Sequence, residues 1–120
     1  MILLVGANGF LGSKISEELI KKKKRFIRID KSLKGKEKID INDLEKLNKF
    51  FKKNKFKIII NCACEPATSK SKNKIIKTNV NGNQNLIDLA IKNNVKKYIF
   101  FSTSAIWVKD YKLPVNEKTK

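Results

Sequence analysis

Two rhythms of apolar residues divide this chain. Short apolar runs occur at Ile2 to Val5, Phe26 to Asp30, Phe56 to Cys62 and Tyr98 to Phe101, with a brief strand signal at Ile39 after the polar loop Lys31 to Lys38. The run FKIIINC, continuous and rich in isoleucine, reads as a parallel strand buried on both faces. Between the runs the apolar spacing changes to three or four. From Phe10 to about Lys24, Leu11, Ile15 and Leu19 take one face of a helix and Lys14, Glu17 and Glu18 the other. A second helix, capped by Asn42 or Asp43, sets Leu44, Leu47 and Phe51 against Lys46, Lys49 and Lys53. The longest, Asn73 to about Asn94, carries Ile76, Val80, Ile87 and Ile91 at helical spacing. This alternation predicts an α/β fold, a parallel sheet in the order 3-2-1-4-5 with helices on both faces and right-handed crossovers.

Gly6, Gly9 and Gly12 fall where the first strand turns into the first helix. Gly6 permits a tight turn, and Gly12 lets the helix pack closely. At Gly9 the backbone can approach a pyrophosphate, whose charge is met by free N–H groups and the positive helix end, an effect of about 0.3 to 2 kcal/mol. The triplet alone also suits an ordinary strand-to-helix turn. Asp30 lies 18 residues beyond Gly12, near the spacing at which an acidic residue in dinucleotide-binding folds accepts hydrogen bonds from the adenosine ribose. Its charge opposes the 2′-phosphate of NADP and so favours NAD, although Lys31 next to it could soften that exclusion. The alternative is an aspartate that ends a strand and opens a turn.

GANGFLG directly after an N-terminal strand resembles the GxxGxxG loop of the NAD-dependent epimerase/dehydratase family, the extended short-chain dehydrogenases. The segment TNVNGNQNLIDLAIKNNVKKYIFFSTSA resembles that family's long helix and following strand, with Asn79, Val80 and Gly82 at its asparagine, valine and glycine. The second match is the more specific. The resemblance implies a Rossmann-like doubly wound sheet, NAD as cofactor, a nucleotide-sugar substrate and a homodimer in the full-length form. It implies that Gly6, Asn8, Gly9, Gly12 and the amides of Phe10 and Leu11 hold the pyrophosphate, with Asp30 and Lys31 at the ribose. Asp40 and Ile41 match a pair that contacts the adenine, although DIND also reads as an acidic turn before a helix. Cys62, Ala63 and Cys64 stand at small positions passed by the nicotinamide half, and Asn79 belongs to the cofactor set. Thr103 matches a hydroxyl that bonds the oxygen of the reacting sugar carbon, its alternative being a hydroxyl-rich turn with no catalytic part. Gly82 inside a helix costs about 1 kcal/mol relative to alanine, so close packing of sheet or cofactor there is expected.

Composition narrows the function classes. The net charge is +17, but it is spread along the chain without a basic tail, and Arg25 and Arg28 are the only arginines beside 26 lysines. Arginine is the side chain suited to bidentate base readout, so specific nucleic-acid binding is not expected. No 18-residue apolar run exists, and the glycine loop begins too early for a signal peptide, so a cytoplasmic protein without a membrane span is expected. Cys62 and Cys64 are too close in sequence for a mutual disulfide, and with no histidine no zinc set is expected; they read as small apolar side chains.

The family's proton transfer uses a tyrosine with lysine four residues later, whose charge lowers the phenol pKa. Here Tyr98 is followed at that spacing by Ser102 and Tyr111 by Val115. Trp107 and Val108 also depart from the family's usual tyrosine and glycine. The expectation is therefore that residues 1–120 are the NAD-binding part of a longer enzyme, without its catalytic pair and C-terminal substrate domain. The motifs do not separate epimerase, dehydratase and reductase. A catalytically silent dinucleotide-binding or interaction module is the second reading.

Overall fold

The structure, a computed structural model, describes residues 1–102. Four strands, β1 (Ile2–Val5), β2 (Phe26–Ile29), β3 (Ile58–Asn61) and β4 (Lys97–Phe100), form one parallel sheet in the order β2-β1-β3-β4. The helices are α1 (Phe10–Lys21), α2 (Leu44–Lys53), α3 (Lys72–Ile75) and α4 (Asn83–Lys92), with a π-helical segment, Ile76–Gly82, joining the last two. The expected 3-2-1-4-5 order is present with its third strand reduced to a single parallel bridge between Asp30 and Lys38. Only one ladder step forms because a 3₁₀ turn at Gly35–Glu37 leads the chain straight into the buried Ile39 and Ile41.

Leu3, Val5, Ile29 and Ile59 project from one sheet face into a core closed by Leu47 and Phe51 of α2 and by Leu86, Leu89 and Ala90 of α4. Phe51 meets Phe56 edge-on at 5.4 Å, and Phe50 stacks on Phe56 at 5.6 Å, which plugs the turn between α2 and β3. Leu4, fully buried, points to the opposite face, where α1 lies. Asp43, of the two candidate caps, accepts the Lys46 amide at 3.0 Å and starts α2.

Two expected faces are corrected. In α1 the buried residues are Gly12 and Ser16, while Ile15 and Leu19 flank the contact and Leu11 is 38% exposed. Small side chains let this helix approach the sheet, which moves the apolar stripe to the sides. In the long helix Ile76, Val80 and Ile91 are exposed, and Leu86, Leu89 and Ala90 pack inward. The π segment widens the turn by a residue and breaks the 3.6-residue phase on which the stripe was read. Gly82 does pack closely, but against a loop: a Cβ there would lie 2.5 Å from Ile41 Cγ1.

Candidate functional site

Strand register brings the chemistry together. Val5 pairs with Ile29 and with Asn61, so the next residues, Gly6, Asp30 and Cys62, emerge side by side at the carboxyl edge of the sheet. An open cleft forms there, the place where parallel α/β sheets receive ligands. Of the expected site residues, Gly6, Asn8, Gly9, Asp30, Lys31, Asp40, Ile41, Cys62, Ala63 and Cys64 line it. Phe10, Leu11 and Gly12 form the adjoining first turn of α1, Asn79 stands behind the wall, and Thr103 lies outside the described residues.

Gly6 has φ +72°, and a Cβ on it would lie 2.5 Å from the Ala63 amide nitrogen, so β1 ends pressed against the backbone that follows β3. A Cβ on Gly12 would lie 2.1 Å from the Gly6 carbonyl oxygen. Gly9 is exposed and faces open space beyond a single contact at 3.3 Å. Gly9 offers no side-chain cap, and the first turn of α1 holds no acidic residue, so the amides of Phe10, Leu11 and Gly12 have no partner within the helix. Three donors without a partner among the described residues, at the positive end of a 12-residue helix and beside the glycine backbone of Gly6 and Gly9, fit a pyrophosphate.

Asp30 closes one side. Its Oδ1 accepts from the Ser32 amide at 2.8 Å and the Ser32 hydroxyl at 2.7 Å, and its Oδ2 accepts from the Asn8 amide at 3.2 Å. The Asn8 side chain donates to Ser32 Oγ at 2.8 Å, tying the glycine loop to the loop after β2. Asp40 accepts from the Asn42 amide and side chain, both at 2.9 Å, in a turn that leaves it exposed at the cleft rim. Ile41 turns inward, and its carbonyl accepts from Asn85 at 3.0 Å.

The wall beyond β3 is held by asparagines. Asn79 accepts from the Glu65 amide at 2.8 Å and donates to the Glu65 carbonyl at 2.9 Å, so both ends of its amide are engaged. Buried Asn61 fixes the Ala63 amide at 3.0 Å and donates to Asn83 and to Tyr98. The Tyr98 hydroxyl donates to Asn83 at 2.6 Å, and burial pushes its pKa up to about 12. That side chain is locked in packing and unsuited to proton transfer near neutrality. Burial also pushes the Cys62 thiol up to about 11, leaving it inert, while Cys64 is exposed at the cleft. Glu65, Ser32, Asn83 and Asn85 were missed in the sequence; asparagine at every second position from Asn79 to Asn85, within a helical stretch where it is a poor helix former, was the available signal.

Among the described residues no helix is long and apolar enough to cross a membrane, and no cluster of histidine, cysteine and carboxylate suits a metal ion.

A doubly wound sheet with a glycine-lined helix N-terminus and an acidic residue ending the second strand defines the class of dinucleotide-binding α/β domains. Within that class the chain belongs to the NAD dependent epimerase/dehydratase family, whose model matches residues 2–120. It is 29% identical to a UDP-glucose 4-epimerase of Caenorhabditis elegans over 99% of this chain and 42% of that protein. The structure superposes on a dTDP-4-dehydrorhamnose reductase from Clostridium acetobutylicum with a TM-score of 0.83 and 30% identity, covering 99% of this chain and 41% of that one. Against a UDP-Glc/GlcNAc 4-epimerase from Campylobacter jejuni the TM-score is 0.88 at 23% identity, covering 99% and 42%, a likeness of fold. The chain spans about two fifths of the length of the curated relatives it matches.

Proposed function

We propose that these residues are the NAD-binding part of a longer enzyme that carries out hydride transfer at a carbon of a nucleotide-linked sugar. The observation that carries this reading is the first turn of α1, whose Phe10, Leu11 and Gly12 amides have no partner among the described residues, adjoining a cleft lined by Gly6, Asn8, Gly9 and Asp30. In this reading the loop Gly6 to Gly12, with Asn8, receives the pyrophosphate and Asp30 the adenosine ribose, with Lys31 beside it. Asp40 and Ile41 flank the adenine, and Cys62, Ala63 and Cys64 offer a low floor to the nicotinamide half. Asn79 braces the wall beside Cys64 by holding the backbone at position 65. NAD supplies the hydride acceptor when bound. Thr103 would bond the substrate oxygen, and the proton-transfer pair would come from chain beyond Lys120.

The Tyr98 lock supports placing proton transfer elsewhere, and it equally supports the second reading, a catalytically silent dinucleotide-binding module. Two free cysteines, one of them exposed, suit a reducing compartment such as the cytoplasm. A homodimer would have the exposed Ile76, Val80 and Ile91 available as its contact.

The test is calorimetric titration of NAD into the wild-type chain and Asp30→Asn. Loss of a charge-assisted hydrogen bond, about 1.5 to 3 kcal/mol, should weaken NAD tenfold or more. Saturable NAD binding that is unchanged by the substitution would remove Asp30 from the site.

A further inference from the structure

Resting on the dinucleotide-binding reading, a second residue bears on which dinucleotide the cleft accepts. Lys31 directly follows Asp30 and lines the same part of the cleft, so its charge bears on any extra phosphate carried by a ribose held at Asp30. Left free, that lysine would compensate the repulsion from Asp30 and admit the phosphorylated cofactor. It is not free. Its Nζ lies 3.7 Å from Oε2 of Glu65, which stands on the loop that follows β3.

The two partners differ in how firmly they are held. The Lys31 side chain is 64% exposed and Glu65 only 19%. Both backbone polar groups of Glu65 are clasped by the Asn79 amide, which itself stands in the π segment. Glu65 is therefore the fixed post and Lys31 the arm drawn to it. With Glu65 in place, Asp30, Lys31 and Glu65 sum to one negative charge at this rim; without it they sum to zero and the arm can turn towards a phosphate.

We infer that Glu65 is a specificity-determining positioning residue, which enforces NAD over NADP by holding Lys31 away from the 2′ position. It touches neither ring system in this account and acts through the lysine. An exposed pair of this kind interacts weakly in water, so the effect is a modest change in selectivity of about fivefold, not an all-or-none switch.

The experiment measures NAD and NADP dissociation constants for wild type, Glu65→Gln, Lys31→Gln and the double variant, at low and at physiological salt. Glu65→Gln should tighten NADP about fivefold while NAD stays within about twofold, and the gain should shrink with salt. In the Lys31→Gln background the same change should move NADP by less than about twofold. An unaltered NADP-to-NAD ratio in Glu65→Gln, whether both affinities hold or both fall, overturns the inference and leaves the cofactor reading intact. An equal gain with and without Lys31 also overturns it, because Glu65 would then act on the phosphate directly. If the wild-type chain binds neither dinucleotide, the cofactor reading fails and takes this inference with it.

Discussion

At the glycine loop the backbone itself meets the cleft, whereas across from it, along the π segment and α4, side-chain amides hold the wall in place. Gly6 and Gly12 are there because no Cβ fits, at 2.5 and 2.1 Å from neighbouring backbone atoms. Asn79, Asn83 and Asn85 are there because each spans a gap, to Glu65, to Asn61 with Tyr98, and to Ile41. The first kind of wall tolerates no substitution but needs no partner. The second is a set of hydrogen bonds, each worth about 1 kcal/mol net, and weakens by degrees.

That contrast is open to breaking. The largest effect belongs to Gly12→Ala, where an added methyl must displace the Gly6 carbonyl; urea unfolding should show a loss of about 3 kcal/mol or more, or no folded chain at all. A stability within about 1 kcal/mol of wild type would show that the loop yields as easily as the amide wall. Tyr98→Phe should have a smaller effect, about 1 to 3 kcal/mol, since Asn61 and Asn83 each lose a partner in a half-buried place. Its pH signature gives the sign. The Tyr98 pKa rises from 10.0 to about 12 on folding, so the folded state keeps its proton longer. The stability this contributes is complete below pH 10 and is lost as pH rises through 12. Wild type should therefore lose stability relative to Tyr98→Phe over that interval, on top of the lysine titration common to both.

How much could be read from the residues follows the same division. The glycine triplet and the four strands were legible because backbone sterics and short apolar runs leave few residue choices, but the burial on both faces expected of FKIIINC is not met: Ile59 is buried while Ile58 and Ile60 are only partly so. The long helix existed as expected, but its faces did not, because the π segment is a hydrogen-bond register that no apolar spacing announces. α1 stops at Lys21 and not near Lys24, since Lys23 adopts φ 48° and turns the chain towards β2. Glu65 and the asparagines were obscure for another reason. Their partners are backbone groups on distant loops, and polar side chains in a lysine- and asparagine-rich chain look alike until the fold selects which ones meet.

The central claim is that the Phe10, Leu11 and Gly12 amides await a pyrophosphate. Titrating NAD into the ¹⁵N-labelled chain and following backbone amide shifts tests it most directly. The account predicts that these three amides shift together and saturate along one binding curve, accompanied by Asn8 and Ser32 around Asp30. Saturating shifts that spare Phe10, Leu11 and Gly12 while moving the lysine-rich turns at the opposite end of the sheet would contradict it.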